Sequence, residues 1–107
     1  MANNYKNAKV DLTTTDATVL YTCPAATTAV MRSILVSDDS GSGDTITVTI
    51  TDASDAVFNV FNLKTISANT TSELLSEPLV VQENEVIKVT AATADRLHVV
   101  ASLLEMN

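Results

Sequence analysis

The stretch Thr45-Ile46-Thr47-Val48-Thr49-Ile50-Thr51 decides the fold, because threonine alternates with a large aliphatic residue along its whole length. Successive side chains of a β-strand point to opposite sides of the sheet. The pattern therefore predicts a strand with one apolar face and one threonine face. Threonine is abundant elsewhere in the chain, and its β-branched side chain suits a pleated surface. Helical periodicity is weak throughout, so we expect an all-β protein.

Seven further segments show alternation or apolar β-branched runs bounded by turn residues. Pro78 lies within one of them, so that segment is either an edge strand or is interrupted there. The stretch 69–73 is interpreted as a turn. Besides 45–51, the predicted strands are 6–12, 17–23, 29–36, 57–63, 74–81, 85–91 and 97–104. Seven or eight short strands predict a single antiparallel β-sandwich domain over residues 1–107, of the jelly-roll or immunoglobulin-like kind.

The bulk composition limits the possible partners. A chain of 107 residues, 46% of them apolar, is long enough for one globular domain with a modest aliphatic core. Its net charge of −7 and six dispersed basic residues argue against a nucleic-acid surface, which must neutralise phosphates. No apolar run reaches the roughly 18 residues that a membrane helix needs. Residues 1–6 lack the layout of a signal peptide. We expect a protein made in a cytoplasm, with no membrane or nucleic-acid partner.

The stretch Ser37-Asp38-Asp39-Ser40-Gly41-Ser42-Gly43-Asp44 holds three acidic residues and both glycines of the chain. A calcium loop needs about six to eight oxygen ligands at a different spacing, with a distant bidentate glutamate. Gly and Asp also suit strand connections, because Gly reaches positive φ and Asp bonds its own backbone. We predict a metal-free hairpin connection here, and another at 51–56. The alternative is that acids of these two loops gather a weakly bound surface cation.

Few residues indicate catalytic chemistry. Cys23 and His98 are each unique, but no motif accompanies them, so a cysteine–histidine nucleophile pair is weakly indicated. Cys23 occupies an apolar segment before Pro24, which predicts a buried thiol that behaves as a small hydrophobic group. In a strand, His98 faces away from its apolar neighbours, towards the surface or an interface. No metal-ligand spacing or glutamate pair stands out. We expect no enzymatic activity, no catalytic residue, no cofactor and no metal site.

Two segments, 57–63 and 97–106, are apolar on both faces, and strands of that kind are covered on both sides. Strict alternation puts the two phenylalanines of the first segment on opposite faces. In the second segment it separates Leu97, Val99, Ala101 and Leu103 from Val100, Leu104 and Met106. One domain has one core, so we expect another subunit to cover the second face. The alternatives are an overhanging loop or a bulged central strand.

Segment 29–36 contains Arg32, a charge within an apolar strand. We expect Arg32 to lie at an edge, to pair with an acid across strands, or to join a subunit interface. Alternation along this segment gives two faces, the first with Val30, Ile34 and Val36 and the second with Ala29, Met31, Ser33 and Leu35. Together the predicted interface residues are Arg32, Phe58, Phe61, Leu97, His98, Val100, Leu104 and Met106.

Two groups of segments carry a family resemblance. The first comprises YTCPA (21–25), TAVMRSI (28–34) and the Ser40-Gly41 turn; the second comprises EPLVV (77–81), IKVTA (87–91), Asp95 and HVVASLLE (98–105). From Val19 to Glu105 the chain resembles small all-β virion proteins of tailed bacteriophages. It departs from their pattern at Ala26, where glycine often follows Pro-Ala, and at Glu83-Asn84, where Ala-Gly often stands. Asn84 is able to adopt the left-handed conformation of a turn.

The resemblance implies a capsid cement or decoration protein that binds the major capsid protein on the outer shell as a homotrimer. Such a protein is located on the capsid surface of the virion, after synthesis in the host cytoplasm. One alternative is a neck, tail or fibre-associated β-domain. Another, from a different class, is a carbohydrate-binding module. A sugar site needs exposed aromatic side chains for stacking, and this chain has only two Tyr and two Phe.

Overall fold

A computed structural model describes residues 3–107, and these residues form nine β-strands and no helix. No helix in this range is therefore long and apolar enough to cross a membrane. The strands are β1 (Asn3–Leu12), β2 (Thr18–Thr22), β3 (Thr28–Asp38), β4 (Asp44–Thr51), β5 (Val57–Ile66), β6 (Thr71–Glu73), β7 (Leu79–Val81), β8 (Val86–Ala91) and β9 (Leu97–Met106).

The strands form two antiparallel sheets that pack face to face. Sheet 1 has the order β1-β9-β3, with the short strands β6 and β7 both pairing with the far side of β3. Sheet 2 has the order β2-β8-β4-β5. With β6 and β7 counted as one interrupted strand, this strand order is that of a jelly roll and differs from that of an immunoglobulin domain. The predicted antiparallel β-sandwich is confirmed.

One additional short strand, β6, raises the strand number to nine, above the predicted seven or eight. Segment 74–81 is interrupted before Pro78, so only Leu79–Val81 pairs with β3. Residues Thr71–Glu73, which fall in the stretch interpreted as a turn, form β6. Their pairing with β3 is three residues long, and a strand of that length carries too little alternation to be recognised.

The inward faces of the two sheets enclose one aliphatic core. Ile46 and Val48 of β4 are fully buried, and Thr47 and Thr49 lie half-buried on the opposite side, as the alternation of this strand predicts. The alternation predicted for β9 is also confirmed, because its odd-numbered residues are buried and its even-numbered residues face outward. Cys23, just beyond β2, is fully buried as predicted.

A β-bulge at Arg32 changes the predicted faces of β3. Met31 pairs with Leu103 and Ser33 pairs with the adjacent Ser102, so Arg32 is an extra residue in the ladder. An extra residue reverses the side to which the following side chains point. Met31 before the bulge and Ile34 after it are therefore both fully buried. The prediction that they occupy opposite faces was wrong.

Bulges also alter β5. Phe58 lies opposite Ile50 and Phe61 lies opposite Val48, and both of these partners belong to the inward side of β4. Residues directly opposite in a ladder share a face. The two phenylalanines therefore lie on the same side of sheet 2, and their predicted placement on opposite faces was wrong. Phe61 packs against the core, whereas Phe58 remains 56% exposed near the strand end.

Left-handed backbone conformations occur at Ala26 and Asn84. Ala26 has φ 57° and Asn84 has φ 65°. Asn tolerates this region, but for Ala the Cβ atom approaches the following carbonyl oxygen at an unfavourable distance. The Ala26 N–H donates to the Glu83 carboxylate, which holds the two turns together. Ala26 is therefore a position where glycine suits the backbone better than the residue present.

Ala26→Gly is expected to raise the free energy of unfolding by about 0.5–1 kcal/mol, because relief of the left-handed strain exceeds the entropy that glycine adds to the unfolded chain. Urea melts of the two proteins measure the change. Ala25→Gly is the control, since Ala25 is exposed and has negative φ, and it should lower stability. Equal destabilisation by both substitutions would contradict the strain at Ala26.

Candidate interaction surface

The outer face of sheet 1 carries a continuous apolar row that crosses β1, β9, β3 and β7 at one level. Tyr5 pairs with Leu104, Leu104 pairs with Val30, and Val30 pairs with Val80. We call these four residues the Tyr5 row. Tyr5 is 80% exposed and Val80 is 51% exposed. Directly paired residues share a face, so their side chains form one apolar strip from β1 to β7.

A second row lies four residue pairs further along the strands. It contains Lys9, Val100, Leu35 and Glu73, again in direct register from β1 to β6. Val100 and Leu35 are both large apolar residues that remain more than a third exposed. We call these four residues the Val100 row. The paired polar residues Asn7, Ser102 and Ser33 separate the two rows, and the Val100 row is charged at both ends. The apolar side chains of the two rows are exposed patches that no other part of residues 3–107 covers, and soluble monomers seldom expose extensive apolar patches.

The outer face of sheet 2 is different in its central strands. Thr47 pairs with Thr90 and Thr49 pairs with Lys88, so β4 and β8 present hydroxyl groups and an ammonium group. Apolar side chains on this sheet that are more than half exposed, such as Val19 and Leu63, lie on the edge strands β2 and β5. The asymmetry between the sheets marks sheet 1 as the candidate interaction surface.

A concavity of about 440 Å³ lies beside the Tyr5 row, lined by Tyr5, Lys6, Asn7, Arg32, Ser102 and Leu103. The bulge in β3 places Arg32 on this outer face, where it is exposed. β3 is an interior strand, and Arg32 forms no ion pair with any residue from 3 to 107. Of the three placements expected for Arg32, edge position and cross-strand pairing are wrong, and the interface placement remains a prediction.

His98 lies at the opposite end of the same outer face. Its Nε2 lies 3.2 Å from Asp11 Oδ1 and its Nδ1 lies 3.5 Å from Asp39 Oδ2. Cys23 lies inside the sandwich, beside the end of β2, and its Sγ donates to the Thr27 carbonyl at 3.3 Å. The cysteine–histidine pair considered as a nucleophile is therefore not formed. Burial raises the pKa of the Cys23 thiol, which disfavours the reactive thiolate.

The predicted interface residues fall into three groups. Leu97 is 1% exposed and belongs to the core, so its side chain is not part of any outer surface. Phe58 and Phe61 lie on β5 in sheet 2. Arg32, His98, Val100, Leu104 and Met106 lie together on the outer face of sheet 1.

Sequence reasoning missed Tyr5, Val30, Leu35 and Val80. The aliphatic runs of β3 and β7 indicated that these strands have apolar residues on both faces. The bulge had to be known, however, before Leu35 could be assigned to the same face as Val30.

A buried carboxylate joins the two sheets at the end nearest the Tyr5 row. Glu105 of β9 points inward, accepts a hydrogen bond from the Tyr21 hydroxyl of sheet 2 and lies 2.9 Å from Lys6 Nζ. The bond from Tyr21, followed by the contact with Lys6, lowers the pKa of Glu105. Burial, followed by the same bond, raises the pKa of Tyr21. The trio holds β1, β2 and β9 at fixed spacing, which is a structural role.

Asp38 organises the connection between β3 and β4. Its Oδ1 accepts hydrogen bonds from Ser40 N at 2.8 Å and Ser40 Oγ at 2.6 Å, and its Oδ2 accepts one from Gly43 N at 2.5 Å. These bonds, that of the Ser40 hydroxyl above all, lower the pKa of Asp38. The carboxylate is thus engaged within its own turn. Because β3 belongs to sheet 1 and β4 to sheet 2, this loop crosses between the sheets, and the prediction of a hairpin connection here was wrong. The connection at 51–56 joins the paired strands β4 and β5 and is a hairpin, as predicted. Within residues 3–107, no three His, Cys, Asp or Glu side chains are grouped to hold a metal ion. The absence of a metal site stays a prediction.

Comparisons with known proteins give no match. No family model fits the chain, and neither a curated protein nor a solved structure resembles it significantly.

Acid is expected to destabilise the protein through Asp38 and Glu105. Both folded-state pKa values lie below that of an unfolded carboxyl group, which is about 4. The unfolded chain then binds more protons, so the stabilisation is complete above pH about 4 and is lost as pH falls through the lower folded values. Thermal melts from pH 7 to pH 2 measure it. Asp38→Asn should flatten this dependence, whereas Asp16→Asn, in an exposed loop, should leave it unchanged. Parallel pH profiles for the wild type and Asp38→Asn would contradict the assignment.

Proposed function

We propose that the chain is a non-enzymatic structural protein of a bacteriophage virion. In this proposal it is a cement or decoration protein that binds the major capsid protein on the outside of the shell as a homo-oligomer, most simply a trimer. The observation that supports it is the uncovered apolar face of sheet 1, together with the resemblance of residues 19–105 to small virion proteins. The jelly roll itself does not decide the function, because viral capsid, lectin and cupin domains share it.

The size of the face suits a lattice-bound protein. Four strands spaced at roughly 4.8 Å and ten residues long at roughly 3.3 Å per residue present a face of roughly 600 Å². A stable pairwise complex buries about 800 Å² per partner, so one face alone gives a weak contact. Several copies joined in one oligomer bind together, and their combined affinity greatly exceeds that of one copy. Opening of the shell must then also break these contacts, so binding stabilises the closed shell.

The rest of the surface fits exposure to solvent. The central strands of sheet 2 present threonines and Lys88, and the net charge of −7 disfavours unspecific association. A neck, tail or fibre-associated domain would use the same face of sheet 1. The position at which the protein binds on the particle distinguishes such a domain from a capsid cement protein. Localisation of the bound protein by cryo-electron microscopy makes that distinction.

A carbohydrate-binding module is the second candidate function, favoured by Tyr5. Its ring is 80% exposed at the concavity that Asn7 and Arg32 also line. An exposed aromatic ring beside amide and guanidinium donors is the arrangement that sugar stacking uses. Titration with oligosaccharides, followed by tyrosine fluorescence in the wild type and Tyr5→Ala, tests this candidate.

Val100→Asp is expected to abolish co-sedimentation with purified shells, because it places a charge in the centre of the Val100 row. Thr49→Asp is the matched control, since it puts the same charge in a central strand of sheet 2 on the outer side. Thr49→Asp should bind shells as the wild type does. Failure of the wild-type protein to bind shells, or equal binding by both variants, would contradict the proposal.

A further inference from the structure

The hairpin between β4 and β5 ends in a rigid tip that combines acidic and apolar groups. Asp52 Oδ1 accepts hydrogen bonds from Ser54 N at 2.9 Å and Ala56 N at 3.0 Å, which fixes the turn. Asp55 has φ 66° and is exposed. Val57 and Phe58 follow directly and are 62% and 56% exposed. We call residues 52–58 the β4–β5 tip.

The concavity on the outer face of sheet 1 has the complementary chemistry. Arg32 and Lys6 line it, no acidic residue does, and Tyr5 provides an exposed ring at its side. Lys6 is already paired with Glu105, so Arg32 is the cation in it that has no ion-pair partner among residues 3–107. Leu104 adjoins it through its pairing with Tyr5. An apolar surface with one unpaired cation suits an apolar surface with an exposed carboxylate.

The tip and the concavity lie at the same end of the elongated molecule, which measures 44 × 26 × 22 Å. A row of paired residues crosses sheet 2 at the level of the tip, in the order Phe58, Ile50, Ile87 and Tyr21. Tyr21 bonds Glu105 across the core, and Glu105 neighbours Leu104 of the Tyr5 row. The two surfaces are on different sides of the molecule, since β5 is an edge of sheet 2 and the concavity is on the outside of sheet 1.

We propose that the β4–β5 tip of one copy docks into the Arg32 concavity of the next copy. The contact joins two different surfaces, so it is head-to-tail, and such contacts form a closed ring when the rotation between copies has no translation. Two complementary surfaces at one level of the long axis are compatible with that requirement. In this contact Phe58 covers the Tyr5 row and Asp55 approaches Arg32. The inference rests on the homo-oligomer of the proposed function, and it leaves the Val100 row free for the shell.

Light scattering on the full chain tests the ring by mixing two variants. Phe58→Asp damages the tip and leaves the concavity intact, and Leu104→Asp does the reverse. Each variant alone should have the mass of a monomer. A mixture should contain a species of two chains, one of each kind, because one intact tip still meets one intact concavity. Circular dichroism and thermal melting serve as the control that both variants fold. Leu63→Asp, an equally exposed apolar residue on β5 outside the tip, should leave the wild-type mass unchanged.

A charge exchange tests the orientation of the contact. Arg32→Glu alone and Asp55→Arg alone should each weaken the oligomer at least tenfold, and the two together in one chain should restore it. Any one of four outcomes would overturn the inference. They are a monomeric wild type at millimolar concentration, an unchanged mass for Phe58→Asp, the absence of the mixed two-chain species, and a double variant whose oligomer is not restored. Failure of the proposed function would give a different result. A protein that forms the ring but does not co-sediment with shells would support the ring and contradict the proposed function.

Discussion

The single-residue bulge at Arg32 is the constraint on which the rest of sheet 1 depends. Side chains of a strand alternate strictly, so one extra residue is the means by which both halves of a long strand supply the same core. Before the bulge Met31 faces inward, and after it Ile34 faces inward. The same insertion places the Arg32 guanidinium outside and brings Leu35 onto the face that carries Val30. Core, apolar outer face and concavity are all set by this one irregularity in β3.

The sequence predicts regular strands well and irregular ones poorly, for a physical reason. β4 pairs with β8 without interruption, as β9 does with β1, and the alternation of β4 and β9 alone gave the correct burial. A bulge in β3 or β5 depends on the register that the partner strand imposes, and that register is set by tertiary packing rather than by local sequence. The Tyr5 row shows the same limit. Its four residues come from β1, β9, β3 and β7, and only the pairing of these strands brings them to one level.

The candidate site is defined by a pattern of exposure rather than by reactive groups. The buried carboxylate of Glu105 and the turn carboxylate of Asp38 are both engaged by neighbouring donors, and the thiol of Cys23 is buried. What distinguishes the molecule is that the outer face of sheet 1 presents apolar rows across its strands, whereas the central strands of sheet 2 present threonines and its exposed apolar side chains are confined to the edge strands. That asymmetry could be anticipated from segment 97–106, whose two faces are both apolar. The identity of the surface that covers sheet 1 could not be anticipated from the sequence, because that surface belongs to a second molecule.

The position of β9 between β1 and β3 has a consequence for folding during synthesis. β9 leaves the ribosome after the other eight described strands, yet it is the only pairing partner of β1 among residues 3–107. Until it emerges, β1 has no ladder and the inward side chains of β3 lack their neighbours. Nearly all of the stabilising contacts of sheet 1 therefore join parts of the chain that are far apart in sequence, an arrangement that slows folding. Sheet 1 completes its folding only after translation has passed Met106, and any nascent chain that stops earlier exposes an unpaired edge.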